Sequence, residues 1–412
     1  MADRRRDCDH RLVTDTAVDR RPLDLAPYHA VLLLSFGGPE GPEDVLPYLE
    51  NVTRGRGIPQ ARLAEVATHY LAFGGRSPIN DQNRALLAAL GRELAERGSD
   101  VPVLWGNRNW APFLVDTLRE AHEAGARRVL TVVTSAYSSY SGCRQYREDI
   151  AAALATLAAE GRRLTVDKVR NYADHPGFVE PVADAVRREA ELLPEGARLV
   201  FVTHSVPVAM NDTSGPEGGA YLAQHRAVSR WVAERVGRSS GRTPEWDLVF
   251  CSRSGPPGQP WLEPDVNDHL AALAAAGVSH VVLVPIGFVS DHMEVVHDLD
   301  VEAMATAASL GVTARRTATV GTHPRFVSAL ADLLAERAAT ERGESPDRPA
   351  VGGLPPLADR CPRDCCRNLR GDRPAACGED RAGAGAEDVT TGVTPAPAES
   401  TPPRSAPVGR TL

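Results

Sequence analysis

From His29 onward, short apolar runs alternate with single amphipathic stretches, and that alternation restricts the possible folds more than any other feature. The clearest runs are AVLLLSF (30–36), VPVLWG (101–106), RVLTVVTSAY (128–137), RLVFVTHSV (198–206), DLVFCSR (247–253) and HVVLVPIGF (280–288). LTVDKVRNY and VTARRTATV are weaker candidates. Unbroken apolar runs of this length suit strands covered on both faces, as in parallel sheets. Between them lie stretches of helical periodicity: NRALLAALGRELAERG, FLVDTLREAHEAG, FVEPVADAVRREAELL, YLAQHRAVSRWVAERVG, VNDHLAALAAAG and RFVSALADLLAERAA. Strands separated by single helices imply βαβ units. About seven or eight strands divide naturally into two similar lobes, with a break near Tyr172–Gly177. The expected organisation is a flexible arm over 1–27, an N-terminal lobe over 28–172 and a C-terminal lobe over 173–342. Residues 343–412, rich in Pro, Gly, Ala and Ser, form an aperiodic, mostly disordered tail, except where cysteines fall between 361 and 377.

The segment Val284–Asp300, VPIGFVSDHMEVVHDLD, joins the last strong strand to an acidic, histidine-bearing helix. Glu294, Asp298 and Glu302 stand at i, i+4 and i+8, which stacks three carboxylates on one helical face. Like charges at that spacing repel. Such a ladder is either a solvated acidic face or a place that handles a cation. Its position favours the cation, because ligands of open α/β sheets gather at the carboxyl ends of strands.

Three other constellations share that position. Gly37-Gly38-Pro39 follows the first run directly, but G-x-G-x-x-G is absent and a dinucleotide site is unsupported. His204 ends a strand in FVTHSVP, where a lone histidine is more often structural than functional. Tyr137, Tyr140 and Tyr146 surround Cys143 and suit either a pocket for a flat apolar ligand or an ordinary surface. His292-x-Glu294-x-x-His297 lacks the H-E-x-x-H order of a zincin, and neither a G-x-S-x-G elbow nor a phosphate loop is present. Net charge of −8 argues against a general nucleic-acid binder. No long uncharged apolar stretch predicts a membrane span, and no apolar segment follows the basic start, so a cytoplasmic protein is expected. Seven cysteines in such a chain point to thiol or metal chemistry rather than to disulfides.

SFGGPE, FGGRSPIN, THSVP, QPWLEPDV and VPIGFVSDHMEVVHDLD, in that order, resemble ferrochelatase. The resemblance spans His29 to Glu336, and THS followed at a distance by SDHxE is its most specific part. It implies an α/β, chelatase-like fold: two Rossmann-like lobes, each a parallel sheet flanked by helices, with a porphyrin cleft between them. It implies a lyase that inserts Fe2+ into a tetrapyrrole without nucleotide or reducing cofactor. It assigns catalytic roles to His204 and Glu294, which would grip the macrocycle from both faces and handle the two pyrrole N–H protons. Asp298 and Glu302 would extend the Fe2+ path, along a helix that the family distorts, and His292 would fix Glu294. Phe36, Tyr146 and Trp261 would wall the porphyrin, and Arg76 and Ser77 would hold its propionates.

Coproporphyrin III, on the way to haem b, is the substrate that actinobacterial relatives imply. Protoporphyrin IX, cobalt or nickel insertion into a related tetrapyrrole, and a porphyrin carrier without chemistry are the alternatives. The ladder argues against a carrier, which needs no ion path. Porphyrin and ferrous iron are the expected partners, with other haem-pathway enzymes beside them. The tail RCPRDCCRNLRGDRPAAC resembles the cysteine motif of members with a 2Fe–2S centre. The implied ligands are Cys143, Cys361, Cys365 and Cys366, with Cys377 as a substitute for one of the pair; a zinc knot or a free-thiol tail is the other reading.

Overall fold

The computed structural model describes residues 22–55, 57–238, 241–255, 258–352 and 356–379. Two four-stranded parallel sheets form with the same strand order. The first runs β2-β1-β3-β4, from β1 (Ala30–Ser35), β2 (Val103–Asn107), β3 (Arg128–Val133) and β4 (Thr165–Lys168). The second runs β6-β5-β7-β8, from β5 (Arg198–His204), β6 (Trp246–Cys251), β7 (His280–Val284) and β8 (Thr313–Arg316). The two weaker runs form the edge strands, β4 and β8, where partners stand on one side only.

In the first lobe the helices are α1 (Pro42–Val52), α2 (Gln60–Ala72), α3 (Ile79–Glu96), α4 (Leu114–Glu123) and α5 (Gln145–Ala159). The second contains α6 (Pro176–Ala190), α7 (Val208–Asp212), α8 (Ala220–Gly237) and α9 (Val266–Ala275). One continuous helix follows β7: α10 (Met293–Val295), a π-helical stretch (Val296–Ala303) and α11 (Met304–Ser309). α12 (Pro324–Glu341) closes the pair of lobes. The periodic stretches quoted from the sequence correspond to α3, α4, α6, α8, α9 and α12. α1, α2, α5 and α7 are additional.

Alternation along the strands builds three cores. Leu32 and Leu34 face outward onto Leu118 and Ile150, and Val200 and Leu283 face outward onto Leu270 and Leu299. Val31, Leu33 and Val132 face inward and share one buried cluster with Phe178, Phe201, Val282 and Leu334. The two lobes therefore pack through a common core. α12 seals it, with Arg337 3.2 Å from Asp167 of β4 and Glu341 2.6 Å from Arg128 of β3.

The apolar runs are longer than the strands they form. The ladders stop at Ser35, Val133, His204 and Val284, while the apolar sequence runs on through 36, 134–137, 205–206 and 285–288. These overshoots leave the sheets; Ala136, Tyr137, Val206 and Ile286 among them join the common core. Gly37 makes the first turn at φ +82°, a conformation open to glycine. Gly287 lets the chain after β7 cross the end of β5, where a Cβ would overlap Thr203 Oγ1.

The arm enters the description at residue 22, and Leu25 is buried in the common core. Residues 1–21 and 380–412, with Cys8 among them, lie outside the described residues. The tail between them is packed where it is described, which differs from the disorder expected from 343 onward. Val351 N–H donates to Asp174 O at 2.7 Å, and Ala376 N–H donates to Arg147 O at 2.9 Å. Buried Arg144 and Arg147 donate back to the carbonyls of Arg363 and Ala376. Composition concealed this, because the tail is held by hydrogen bonds from core arginines and by burial of a few small residues such as Ala376 and its cysteines. Among the described residues no helix is long and apolar enough to cross a membrane.

Candidate functional site

The ends of β5, β6 and β7 carry His204, Ser252 and the helix that starts at Met293. His204 Nε2 lies 3.5 Å from Glu294 Oε2, and its Nδ1 donates to Ser205 O. His292, the residue before α10, puts Nδ1 3.9 Å from the same Glu294 oxygen and sets its ring edge-on to Phe288. His204 and Glu294 thus stand side by side on one wall. They do not grip a guest from opposite faces, because β5 and β7 are adjacent strands whose carboxyl ends emerge together.

Their charges are strongly coupled. Burial disfavours the imidazolium, but the Glu294 carboxylate outweighs it and lifts His204 to about 9. Burial likewise pushes Glu294 up, yet His204 and then His292 pull it down to about 2. His292 itself is held below its ordinary value, chiefly by burial. At neutral pH the pair is imidazolium and carboxylate. About a third of His204 and half of Glu294 is exposed, so water screens part of the attraction. Glu294→Gln should lower the His204 titration from about 9 to 6.5 or below, since burial then dominates. Imidazole NMR shifts followed with pH would read it; an unchanged midpoint would mean that another group holds the proton.

Behind Glu294 the helix runs through its π-helical stretch with Asp298 and Glu302. Burial, and then the Glu294 charge against the opposing Ser252 hydrogen bond, pushes Asp298 up to about 6. Ser252 donates its hydroxyl to Asp298 Oδ2 from a left-handed backbone at φ +61°. A serine in that conformation carries strain, here at the rim of the acidic path. Asp298 Oδ1, Glu302 Oε1 and His297 Nδ1 lie within 4.8 Å of one another, a group able to hold a metal ion.

The opposite wall comes from the first lobe. Tyr48 of α1 and Tyr70 of α2 pack edge-on with ring centroids 5.9 Å apart, close enough for Glu294 to raise the phenol of each. Burial is the larger cause for both. Phe36 packs on this cluster with Trp110. A cavity of about 330 Å3 opens between Phe73, Arg76, Pro78 and Asp81 of the first lobe and Met293 and Val296 of the second. Trp261 pairs through its backbone with Pro207, three residues past the end of β5.

Other sequence-picked wall residues lie elsewhere. Tyr137, Tyr140 and Tyr146 are all buried, and Tyr137 stacks on His225 inside the protein. Tyr146 lies in the outer core of the first lobe with the Arg108 guanidinium 4.4 Å above its ring. Arg108, paired to Asp149, also covers Phe36, so it stands between Tyr146 and the cleft. Ser77 is buried under Gly38 and accepts from Ile79 N–H, which suits a turn better than a propionate. Arg76 is half exposed at the cavity, but Asp81 at 2.6 Å and Glu40 at 3.6 Å already balance its charge. Sequence reasoning missed His69, Tyr48, Tyr70 and Ser252. Tyr48, His69 and Tyr70 sit on helices as ordinary apolar-face residues, and only the packing of the lobes turns them toward the acidic helix.

A second site forms where the tail meets the first lobe. Cys143, Cys365 and Cys366 form one buried cluster with Cys361 at its edge, and Cys365 Sγ is 3.8 Å from Cys366 Sγ. The neighbouring thiols of Cys361 and Cys366 hold the Cys143 thiol well below the ordinary range. The same neighbours lower Cys365 to about 4. Gly215 of the second lobe donates its N–H to Cys366 Sγ at 3.2 Å. Cys377 stands apart, donating to Val166 O at 3.2 Å in the outer core of the first lobe. Cys251 is buried in the second lobe, its thiol pushed up chiefly by burial.

The ferrochelatase family model matches residues 28–338. A Streptomyces griseus protein named coproporphyrin III ferrochelatase is 58% identical over 367 residues, covering 87% of this chain and 98% of the relative. A Leifsonia xyli protein of the same name is 52% identical, covering 85% and 94% of the two chains. Among solved structures, SirB from Bacillus subtilis with Fe3+ overlays 76% of this chain and 97% of its own at 14% identity and a TM-score of 0.44. With paired α/β lobes, a histidine–glutamate pair and an acidic helix in the cleft, and relatives matched over nearly their whole length, this chain belongs to the ferrochelatase family of enzymes.

Proposed function

We propose that this chain inserts Fe2+ into coproporphyrin III, giving coprohaem for haem b synthesis in the cytoplasm. The observation that carries the proposal is the His204–Glu294 pair at 3.5 Å, standing at the head of the Asp298–Glu302 face inside the interlobe cleft. The relatives' printed names supply the porphyrin. Metalation needs a base for two pyrrole N–H protons and a delivery route for a hydrated divalent ion. Oxygen ligands suit the route. The resting pair is imidazolium and carboxylate, so when Glu294 engages the ion and stops supporting the proton, His204 releases it to solvent and can then accept the pyrrole protons one at a time, passing each on to solvent. Metal arrival and proton acceptance are thereby coupled through one carboxylate. Phe36, Tyr48 and Trp261 supply the wall, and Arg76 reaches a propionate only by exchanging with Asp81 or Glu40.

The test is anaerobic incubation with Fe2+ and either coproporphyrin III or protoporphyrin IX, reading loss of free-base absorbance. Faster metalation of coproporphyrin III is expected. Equal or faster use of protoporphyrin IX would overturn the substrate, and no metalation of either would overturn the reaction. Asp298→Ala should weaken the apparent Fe2+ affinity more than it lowers the rate at saturating metal, whereas Glu294→Ala should cost the rate itself. Identical rate losses with unchanged metal dependence would make the acidic face structural.

The four grouped thiols fit a 2Fe–2S cluster, with Cys143, Cys361, Cys365 and Cys366 as its ligands. Four soft thiolates, two of them already favoured, are the donor set such a centre takes. The cluster would supply a one-electron couple and cross-link the tail to the first lobe. Arg147, fully buried next to the group, adds a positive charge that a four-thiolate centre needs.

A further inference from the structure

One imidazole on the acidic helix has no part in the proposed reaction, yet it stands among donors. His297 Nδ1 is 3.4 Å from Asp298 Oδ1 and 3.9 Å from Glu302 Oε1. The three side chains are not on one face of a regular helix. At 3.6 residues per turn, residues five apart point about 140° away from each other. The π-helical stretch Val296–Ala303 bonds i to i+5 instead, which brings residues 297 and 302 together. The distortion therefore assembles a mixed nitrogen–oxygen group that an α-helix would scatter.

The ring of His297 is also held from the other lobe. His69 of α2 lies flat on it, with centroids 4.1 Å apart and planes 8° from parallel. An ion bound at Nδ1 lies in the plane of the His297 ring, and the donors of His69 point along a separate, parallel plane. His69 is thus placed to orient the ring rather than to share the ion. His297 and Asp298 are largely covered, at 16% and 17% exposure, while Glu302 is 51% exposed and faces arriving solvent.

We propose that His297, Asp298 and Glu302 form an outer loading site selective for divalent transition metals, with His69 as its positioning residue across the lobes. The proposal rests on the reading of the Glu294–Asp298–Glu302 face as an ion path and gives that path a chemical preference. Carboxylates alone serve Mg2+ and Ca2+ as well as Fe2+. An imidazole ligand shifts the preference toward Fe2+, Co2+ and Zn2+, because borderline ions gain most from nitrogen. The site would thus filter hard cations out before the ion reaches Glu294.

Calorimetric titration of the full chain with Zn2+ and separately with Mg2+ tests this. Zn2+ held by cysteines cancels, since the variants leave every thiol intact. His297→Phe keeps the ring stack and removes the donor. It should weaken one Zn2+ equivalent by about tenfold or more while leaving Mg2+ binding within about twofold. His69→Phe should keep the wild-type Zn2+ affinity, and His69→Ala should lower it, because only the stack matters. Unchanged Zn2+ binding in His297→Phe, or equal losses for Zn2+ and Mg2+, would overturn the selective site. His69→Phe as weak as His69→Ala would overturn the positioning role. Anaerobic metalation by the wild type runs alongside at saturating Fe2+: its failure would overturn the parent reading, whereas normal metalation with unchanged Zn2+ binding in His297→Phe overturns the outer site alone.

Discussion

His204→Ala is expected to cut metalation by about 10²–10⁴-fold while coproporphyrin affinity stays within about tenfold. The imidazole acts on protons, and its removal leaves the apolar wall of Phe36, Tyr48 and Trp261 in place. The loss should exceed that of any other single change in the cleft, because among the described residues no other histidine lies as near to Glu294. His292 lies 3.9 Å from the same carboxylate oxygen, but burial keeps its proton affinity low. The variant carries a second signature. Without His204 the largest support for the Glu294 carboxylate is gone, and its titration should climb from about 2, since burial raises it. In the wild type Glu294 contributes stability that is present above its unfolded pKa and lost as pH falls through about 2; without His204 that contribution shrinks, so the variant should be less stable near neutral pH and the gap to the wild type should close in acid. Rates under single-turnover conditions and a pH series of unfolding midpoints measure both. Near-normal turnover would sink the assignment of His204 as the base.

Cys143→Ser and Cys361→Ser should each bleach the protein completely, although more than 200 residues separate the two positions. Made with iron available and handled without oxygen, the wild type should be reddish-brown with about two non-porphyrin irons per chain. Cys377→Ser and Cys251→Ser should keep the colour, because Cys377 donates to Val166 O and Cys251 is buried in the second lobe. Colour loss should also loosen the tail, since metal ligation orders a segment that has little apolar surface to bury. Proteolysis between 356 and 379 would then run faster in the bleached variants than in Cys377→Ser. A colourless protein with bound zinc, or full iron content in Cys143→Ser, would overturn this ligand set.

The place of His204 was legible because a residue at the end of a buried strand must emerge at the carboxyl edge of a parallel sheet. The eight strands and their division into two lobes were legible for the same reason, since an unbroken apolar run has few other uses. The spacing of Glu294, Asp298 and Glu302 along one helix was legible in the sequence. The approach of His297 to Asp298 and Glu302 was not, because reading at 3.6 residues per turn puts it on another face and the π-helical stretch depends on local packing. Tyr140 and Tyr146 are polar-tipped aromatics near hydroxyls, which resemble a pocket wall in sequence, but Tyr146 is buried beneath Arg108 and Tyr140 donates its hydroxyl to buried Glu148.

The sequence by itself determined the elements, their parallel order and which strand ends would meet at the site. Hydrophobic periodicity is local and survives without knowledge of what packs where. Only the tertiary structure decided that His204 and Glu294 share one wall, that His69 crosses the cleft to His297, and that Cys143 joins the tail cysteines while Cys377 does not. Those juxtapositions are set by adjacent strand order and by the common core that locks the lobes. Contacts between residues tens to hundreds of positions apart have no periodic trace along the chain.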